Sequence, residues 1–220
     1  MVQIRRLTDP TSAAAFDRAA EVLVTAFEQD PFTIACTGGE KTLIFTFLRA
    51  LIAAVALAGE VWVASQGDQD FVGVASWVYP DRLLNDSPDQ GEAGMNALFA
   101  SFPAELVEWW MLTLIPTMDE QEAEQLGLGI RQDSYNVYAV GVHPQYHKEN
   151  IARALLKVVE DKANSQGKLI TLGCTSETNV EIYTKLGYIA KGPPVPITGL
   201  GTTGSFPSYL MAKRPASQFK

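Results

Sequence analysis

The chain has 220 residues and a net charge of −8, with 47% hydrophobic and 19% charged residues. This length suits one α/β domain with an insertion and leaves little room for two full domains. The acidic balance argues against a general nucleic-acid binder, because neutralising phosphates requires a basic surface, and it is compatible with a small cationic or neutral substrate. The two cysteines, Cys36 and Cys174, lie in no metal-binding spacing and predict no disulfide framework.

The first sixty residues predict one strand and two helices. The opening VQIRRLT alternates apolar and polar residues, which indicates a strand. The stretch DPTSAAAFDRAAEVLVTAFEQDP predicts a helix that Asp9 or Thr11 caps and Pro31 ends. A second helix is predicted over about 40–57. Its apolar run 43–59 is short for a membrane span, which favours a buried helix over a membrane-associated one.

The next part of the chain predicts a hairpin and an inserted segment. EVWVASQ and DFVGVASWVYP are β-rich runs separated by GDQD, a pattern typical of an antiparallel hairpin. DRLLNDSPDQGEAGMN has the composition of a loop, and PAELVEWWMLTLIPTMDEQEAEQLG predicts a helix broken or kinked at Pro116. Together they form an insert over about 80–130, whose Trp109 and Trp110 we expect to pack in the core or to line a substrate site.

The last third of the chain alternates strands and helices. A strand over 135–142 precedes a helix over 151–166, and KLITLGC, at 168–174, predicts the next strand. ETNVEIYTKLGY predicts a short helix, GPPVPITGLGTTGS a flexible loop, and FPSYLMAKR a closing strand. We therefore predict one mixed α/β domain, 1–220, with a central, partly antiparallel sheet flanked by helices. The amino terminus has no apolar core of the kind found in signal peptides, so a cytoplasmic location is expected.

The loop HKENIA joins the strand over 135–142 to the helix over 151–166 and raises a functional question. Strand-to-helix loops often bind phosphate, because unpaired N–H groups and the positive end of the helix dipole converge there. This loop contains no glycine, and it carries Glu149 where an anion would bind. It is therefore either a phosphate-binding loop or a plain connection.

Two motifs identify the family that the chain resembles. YAVGVHPQYHKENIARALL, followed by NVEIYTKLGY, is similar to segments of the GNAT superfamily of N-acetyltransferases, in which a strand, a V-x-P turn and a helix precede a Y-x-K-L-G-F/Y ending. The hairpin ending ASWVYP and the insert after it also resemble fungal and bacterial members that acetylate small amines. The resemblance implies a sheet of about six or seven strands that splays between two parallel strands, here 135–142 and 168–174.

The resemblance also implies a binding site for acetyl-CoA as co-substrate. The backbone around Val140 would pair with pantetheine like an added strand, and the loop 147–152 would bind the pyrophosphate. Tyr183 would protonate the leaving thiolate, because a phenol and a thiol have comparable pKa values. The cofactor-binding residues implied in this way are Val140, Gly141, Val142, His147, Lys148, Asn150, Ile151, Ala152, Asn179 and Tyr183.

The phosphate-binding loop departs from the family pattern, which is usually written Q/R-x-x-G-x-G/A. His147 can replace the first residue as a hydrogen-bond donor, and Ala152 is permitted at the last position. Asn150 replaces the central glycine; asparagine tolerates the left-handed conformation, but its side chain crowds a bound pyrophosphate. Glu149 adds a negative charge that Lys148 partly offsets. We therefore predict a pyrophosphate site with weakened affinity for acetyl-CoA.

The general base is left open by the sequence. Glu28 and Asp30 follow the first helix, a region that lines the acceptor side in the family, and they are the predicted catalytic carboxylates alongside Tyr183. Asp133 and Tyr138 are alternatives near the central strand. Cys174 has no histidine before it in a nucleophile pattern, so we expect a buried small residue rather than an acetylated cysteine.

The first functional hypothesis is an acyltransferase that uses acetyl-CoA to acetylate a primary amine of a small molecule by direct attack on the thioester. Backbone N–H groups near Val140 would polarise the carbonyl group in this mechanism. The alternative is a non-catalytic module that keeps the fold but has lost efficient acetyl-CoA use. The expected partner is a small-molecule amine, with no nucleic acid, membrane or metal, in a monomer or homodimer. A regulatory dimer that packs through the apolar segment 43–59 is a third possibility.

Overall fold

The computed structural model describes residues 1–8 and 13–216, so the predicted caps Asp9 and Thr11 lie outside the described residues. The described part contains one mixed sheet with strand order β1-β2-β3-β4-β5-β8-β6, and β7 pairs with β8 off this path. Within residues 1–8 and 13–216, only β4 and β5 are parallel neighbours. The strands are β1 (Val2–Arg6), β2 (Gly59–Gln66), β3 (Gln69–Val78), β4 (Tyr135–Val142), β5 (Ile170–Cys174), β6 (Ile189–Ala190), β7 (Val195–Thr198) and β8 (Ser205–Lys213).

Nine α-helical stretches accompany the strands in the described ranges. Two π-helical segments, Gly91–Met95 and Trp110–Leu114, continue α4 and α6, and a short 3₁₀ turn, Pro144–Tyr146, follows β4. The helices are α1 (Ala13–Ala26), α2 (Pro31–Cys36), α3 (Lys41–Ala58), α4 (Pro88–Gln90), α5 (Asn96–Ser101), α6 (Ala104–Trp109), α7 (Ile115–Leu126), α8 (Ile151–Gln166) and α9 (Glu177–Lys185).

The predicted mixed α/β class is confirmed, with corrections to four local predictions. The sheet has eight strands rather than six or seven, because the segment predicted as a flexible glycine-rich loop contains β7, which pairs with β8. The segment predicted as a loop after β3 contains α4 and its π-helical continuation. The prediction that Pro31 ends the first helix is wrong: α1 ends at Ala26, and Pro31 begins α2, where Asp30 caps the first turn and proline loses no hydrogen bond.

Two hydrophobic clusters cover opposite faces of the sheet. Alternate residues of β3 face different sides: Val74 packs with α1, α3 and the insert, whereas Ala75 packs with α8. By length and hydropathy alone α3 could cross a membrane, but half of it is buried inside the protein against α1, β2 and β3. Phe45 and Leu57 remain its exposed large apolar side chains.

The insert is attached to the rest of the fold by its two tryptophans. Trp109 Nε1 donates to the carbonyl of Thr198 at 2.9 Å, and Trp110 Nε1 donates to the carbonyl of Cys36 at 3.0 Å. The π-helical segment that begins at Trp110 precedes Pro116, and a widened turn removes the clash between a proline ring and the carbonyl one turn earlier. Of the two expected roles for the tryptophans, these contacts support packing.

One buried carboxylate connects four elements of the fold. Glu60 on β2 accepts hydrogen bonds from Trp62 Nε1 at 2.8 Å and from the Tyr79 hydroxyl at 2.7 Å. It also pairs with Arg6 of β1 at 3.0 Å and with Lys162 of α8 at 3.2 Å. Burial alone would raise the pKa of Glu60, but the hydrogen bonds from Tyr79, Trp62 and Lys162 and the charge of Arg6 together lower it.

A β-bulge in β4 marks the place where β4 and β5 separate. Ser76 of β3 pairs with Ala139 and Trp77 pairs with Val137, so Tyr138 is an extra residue without a partner on β3. Parallel pairing with β5 ends at the same point, where Val137 pairs with Leu172. A bulge bends and twists its strand, which accounts for the divergence of β4 from β5 beyond this level. The predicted splay between the two parallel strands is therefore present.

Candidate functional site

The opening between β4 and β5 exposes backbone groups of only some of the predicted residues. His143 N donates to Val72 O at 2.9 Å, and antiparallel pairing alternates, so His143, Gly141 and Ala139 direct their backbone groups toward β3. Val140 therefore directs its N–H and C=O groups into the opening, and Val142 offers its N–H there, because its C=O already accepts from His147 Nε2. An incoming extended chain can pair with these groups, as in strand addition.

Gly141 has a packing reason to be glycine. A Cβ placed on it would lie 2.7 Å from Leu23 Cδ2 and 3.0 Å from Ala26 Cβ, both on α1. The side-chain face of β4 at this position is thus covered by the end of α1. The backbone groups of Gly141 are directed toward β3, so the backbone groups that face the opening are those of its two neighbours, Val140 and Val142. A direct cofactor contact by Gly141 stays a prediction.

The loop before α8 adopts the conformation that glycine normally supplies. Asn150 has φ 62° and Lys148 has φ 68°, both in the left-handed region. The Asn150 side chain caps none of the N–H groups at the start of α8, and the first turn of α8 contains no acidic residue. These N–H groups are therefore not blocked by a side-chain cap, and the helix dipole favours an anion beside them.

The charged and polar side chains of this loop are directed by specific contacts. Glu149 accepts a hydrogen bond from the side-chain amide of Gln66 at the end of β2. This contact ties the carboxylate to the β2–β3 hairpin. His147 Nε2 donates to the carbonyl of Val142 at 3.1 Å, so that nitrogen braces the turn. Phosphate contacts by the side chains of His147 and Lys148 stay predictions.

The remaining cofactor-binding predictions fall into two groups. Ile151 is buried in the cluster under α8, and Ala152 packs against the same cluster, so their side chains serve the core and only their backbone N–H groups suit a ligand. Asn179 is exposed in the first turn of α9, where its backbone N–H donates to Ser176 Oγ at 3.2 Å. Its side chain has no hydrogen bond with the described residues.

Asp30 connects the start of α2 to the end of β5. Its Oδ2 accepts from Thr33 N at 2.8 Å and from Thr33 Oγ1 at 2.9 Å, which is the helix cap. Its Oδ1 accepts from Thr175 Oγ1 at 2.8 Å, just beyond the carboxyl end of β5. The end of α1 contacts Gly141 on β4, and Asp30 contacts Thr175 after β5. The chain that runs from the end of α1 to Asp30 therefore spans the opening from β4 to β5.

The other candidates for a general base lie in less suitable surroundings. Glu28 is exposed and its carboxylate contacts no described residue. Asp133 forms an exposed ion pair with Lys168. Tyr138 accepts from Arg131 Nη2 at 2.8 Å, and burial raises its pKa even though the charge of Arg131 opposes the change. Asp30 is therefore the carboxylate that the structure places beside the opening.

Tyr183 lies on α9 with its ring half-buried, edge-on to Tyr188 at 5.8 Å between ring centres. Its hydroxyl makes no hydrogen bond with the described residues, so it is free to donate to a ligand. Burial, followed by the nearby Cys174 and Asp30, raises the pKa of Tyr183 well above its usual value. The raised pKa makes Tyr183 a weaker acid than an ordinary phenol, and protonation of the leaving thiolate by Tyr183 stays a prediction.

Cys174 behaves as the small buried residue that was predicted. Burial raises the pKa of Cys174 to about 11, with a smaller contribution from Asp30. The thiolate is the nucleophilic form of cysteine, so a thiol with this pKa is a poor nucleophile at neutral pH. Its sulfur lies 3.8 Å from Met211 Sδ.

Sequence reasoning missed Thr175 as part of the site. Thr175 follows β5 and lies 145 residues from Asp30 along the chain, so no local pattern links the two. A partial signal was present in the stretch DPFT, where an aspartate before proline and a threonine three residues later predict a capped helix start. That signal would have placed Asp30 at a helix cap rather than at the end of a helix.

Comparisons with known proteins address the fold. A structure from Corynebacterium glutamicum, described as histone acetyltransferase HPA2 and related acetyltransferase, is 20% identical and matches 100% of this chain and 99% of that chain with a TM-score of 0.63. A polyamine N-acetyltransferase from Drosophila melanogaster is 15% identical over 97% of this chain and 100% of its own, with a TM-score of 0.62. The chain has the GNAT acetyltransferase fold.

Two further comparisons agree with the GNAT fold. The family model described as an acetyltransferase (GNAT) domain matches residues 113–203, which include β4, α8, β5 and α9. The protein YncA from Salmonella typhimurium, solved with its cofactor acetyl-CoA, is 19% identical over 100% of this chain and 96% of its own, with a TM-score of 0.56. A search of curated protein sequences finds no match. The predicted GNAT resemblance is thus confirmed.

Proposed function

We propose that the protein is an N-acetyltransferase that uses acetyl-CoA to acetylate a primary amine of a small molecule by direct attack. The opening between β4 and β5 carries this proposal, because both backbone groups of Val140 and the backbone N–H of Val142 are directed there. The side chains of Tyr183 and Asp30 lie at the same opening. The acetyl-CoA complex of YncA and the polyamine activity of the Drosophila protein belong to those proteins, and they support the same reaction class here.

The proposed reaction exchanges one bond for another. Bound acetyl-CoA supplies an acetyl group activated as a thioester. A C–N bond forms as the C–S bond breaks, the substrate ammonium loses two protons, and the CoA thiolate takes up one of them while water takes the other. Asp30 accepts the first ammonium proton, because its carboxylate contacts Thr175 just beyond the end of β5. Glu28 is the second candidate for this step.

Backbone groups and the hydroxyl of Tyr183 contact the acetyl donor, acetyl-CoA, in this proposal. The N–H groups of Val140 and Val142 pair with pantetheine and polarise the acetyl carbonyl, and the start of α8 binds the pyrophosphate. The raised pKa of Tyr183 keeps its hydroxyl protonated at neutral pH. Tyr183 therefore stabilises the thiolate mainly by donating a hydrogen bond, and complete proton transfer from the phenol is uphill.

The second candidate function is a non-catalytic binding module. The observation that favours it is the loop before α8, where Lys148 and Asn150 occupy left-handed conformations and no glycine gives close access to the backbone. Each side chain at these positions occupies space that a glycine would leave for the pyrophosphate. The two functions therefore differ first in their affinity for acetyl-CoA.

Calorimetric titration with acetyl-CoA, followed by measurement of CoA thiol release with a panel of primary amines, tests the proposal. We expect one site per chain, with affinity that falls as salt increases because the pyrophosphate contact is electrostatic. Thiol release should require an amine. A protein that melts cooperatively but binds no acetyl-CoA at millimolar concentration would exclude the enzyme and favour the module. Binding without amine-dependent thiol release would support the module.

A further inference from the structure

A cavity of about 230 Å³ lies between the start of α2 and the loop that joins β7 to β8. Its lining residues share one property, which is that none of them carries a charge. Apolar walls come from proline, isoleucine and phenylalanine, and hydroxyl groups come from two threonines and a serine. The lining residues are Pro31, Ile34, Gly201, Thr202, Thr203, Gly204, Ser205 and Phe206.

The register of the sheet places this cavity beyond the carboxyl end of β5, one of the two strands that border the opening. β8 pairs with β5 as far as Cys174 and Tyr209, so Ser205 and Phe206 belong to the part of β8 that extends past the carboxyl end of β5. On the other side, Pro31 follows Asp30, whose carboxylate contacts Thr175 at the end of β5. Asp30 therefore stands at the boundary between the cavity and the opening.

The glycines of the β7–β8 loop fix the wall of the cavity against α2 and the turn that follows it. A Cβ on Gly201 would lie 2.4 Å from Gly39 Cα, and a Cβ on Gly199 would lie 2.2 Å from Ala35 Cβ. The Thr202 hydroxyl donates to Gly199 O at 2.7 Å, which closes the turn. These contacts hold the loop close to α2 and give the cavity a defined wall.

Asp30 has room for one more hydrogen bond. Its two oxygens accept three hydrogen bonds, from Thr33 N, Thr33 Oγ1 and Thr175 Oγ1, whereas a carboxylate offers about four lone-pair positions. One ammonium N–H can therefore be accepted without breaking the existing contacts. A second ammonium group inside the cavity would find no carboxylate among the lining residues, and an unpaired charge is costly to bury.

We propose that this cavity is the acceptor site and that the acceptor is a monoamine with an uncharged, partly apolar body. The ammonium group binds at Asp30, and the body of the molecule occupies the space between Ile34, Phe206 and the hydroxyl groups of Thr203 and Ser205. This inference rests on the proposed function, because it names the class of amine for the same reaction.

The test compares two amines that differ only in a second ammonium group, hexylamine and 1,6-diaminohexane. CoA thiol release is measured for each amine with the full-length protein and saturating acetyl-CoA. We expect kcat/KM for hexylamine to exceed that for the diamine at least tenfold. Equal values, or a preference for the diamine, would overturn the inference.

Two variants place or remove a charge at defined points. Thr203→Asp adds a carboxylate to the cavity wall and should raise the diamine-to-monoamine ratio of kcat/KM at least fivefold, whereas the matched Thr203→Asn should leave this ratio unchanged whatever it does to the rates. Asp30→Asn should raise KM for hexylamine and lower kcat, because Asp30 both binds the ammonium group and accepts its proton, while the Kd for acetyl-CoA changes less than twofold. An unchanged ratio in Thr203→Asp would count against this location of the acceptor.

Different results would contradict the proposed function and the acceptor inference. Absence of acetyl-CoA binding by calorimetry removes the enzyme and the acceptor site together. Acetyl-CoA binding with thiol release from diamines in preference to monoamines removes only the acceptor inference. Acetyl-CoA binding without thiol release from any amine also overturns the monoamine assignment, and it leaves the donor site in place.

Discussion

At the scale of single residues, two side chains at the opening have properties that their residue types alone do not give. Asn150 occupies a left-handed conformation that glycine adopts without strain. Tyr183 keeps a free hydroxyl whose pKa is raised by burial. In the proposed reaction, Asn150 would affect the affinity for acetyl-CoA and Tyr183 would affect the departure of the thiolate.

Replacing Asn150 by glycine should tighten acetyl-CoA binding about threefold to tenfold. Glycine accepts the same φ of 62° and removes the Cβ that faces the expected pyrophosphate. Asn150→Ala is the matched control, since it keeps the Cβ but tolerates the left-handed conformation less well, and it should weaken binding and lower the melting temperature. Calorimetric Kd values for the wild type, Asn150→Gly and Asn150→Ala test this prediction. Equal or weaker binding by the glycine variant would show that this loop does not contact the pyrophosphate.

Tyr183→Phe should lower kcat about 100-fold and leave the Kd for acetyl-CoA within a factor of two, because the ring and its packing on Tyr188 are retained. The sign of the pH dependence follows from the raised pKa. The hydroxyl is the protonated form below that pKa, so loss of its proton should cause no fall in wild-type kcat up to pH 10. A falling limb near pH 9 that disappears in the phenylalanine variant would contradict this assignment.

At the scale of elements, the strand, loop and helix from β4 to α8 were predictable, and the start of α2 was not. The alternation in 135–142 and the apolar spacing in 151–166 are local signals that survive in the fold. Pro31 allows two interpretations, because a proline can end one helix and begin another. β7 contains prolines and lies beside glycines, so only its non-local pairing with β8 makes it a strand.

The site could be predicted only where its residues are close together in the sequence. The resemblance named Asp30 and Tyr183 but could not rank Asp30 above Glu28, because the contact that distinguishes them reaches Thr175 from the far end of the chain. The bulge at Tyr138 could not be predicted from the sequence either, because it depends on the register between β3 and β4. That register decides which backbone groups of β4 face the opening.

Glu60 should contribute to stability through the contacts that join β1, β2, β3 and α8. Glu60→Gln should lower the free energy of unfolding by about 2 kcal/mol at pH 7. It removes the charge that accepts from Trp62 and Tyr79. Arg6 and Lys162, which lose their ion pair, are partly exposed and stay solvated. Urea denaturation measures this change, and Glu124→Gln, at an exposed position on α7, is the control.

The pH dependence of the Glu60 contribution has a defined sign. The pKa of Glu60 is lowered in the folded protein, so its stabilising effect is complete above the unfolded-state pKa of about 4.3 and is lost as the pH falls through the lower folded value. Wild type and Glu60→Gln should therefore converge in stability progressively as the pH falls from about 4.3 through the lower folded-state pKa. A difference that stays constant from pH 7 to pH 3 would mean that the charge of Glu60 is not the cause.

At the scale of the whole molecule, the sheet is continuous except where β4 and β5 diverge, and a bound pantetheine would occupy that gap as an added strand. The end of α1 and the Asp30–Thr175 contact close one face of the gap. Ligand binding should therefore complete the sheet and stabilise the folded chain as a whole. By mass action, a saturating ligand at 100 times its Kd adds about 2.7 kcal/mol to the free energy of unfolding.

Amide hydrogen exchange measured residue by residue should report this completion of the sheet. Without ligand, Gly141 and His143 should exchange slowly because their N–H groups bond to β3, whereas Val140 and Val142 should exchange faster. Saturating acetyl-CoA should slow exchange at Val140, Val142 or both by more than tenfold beyond the global stabilisation. Gly141 should change only by the global amount, which makes it the internal control. Equal protection of all three amides would mean that pantetheine does not pair with this edge of β4, because the alternation of backbone groups along a strand allows only every second residue to gain a partner.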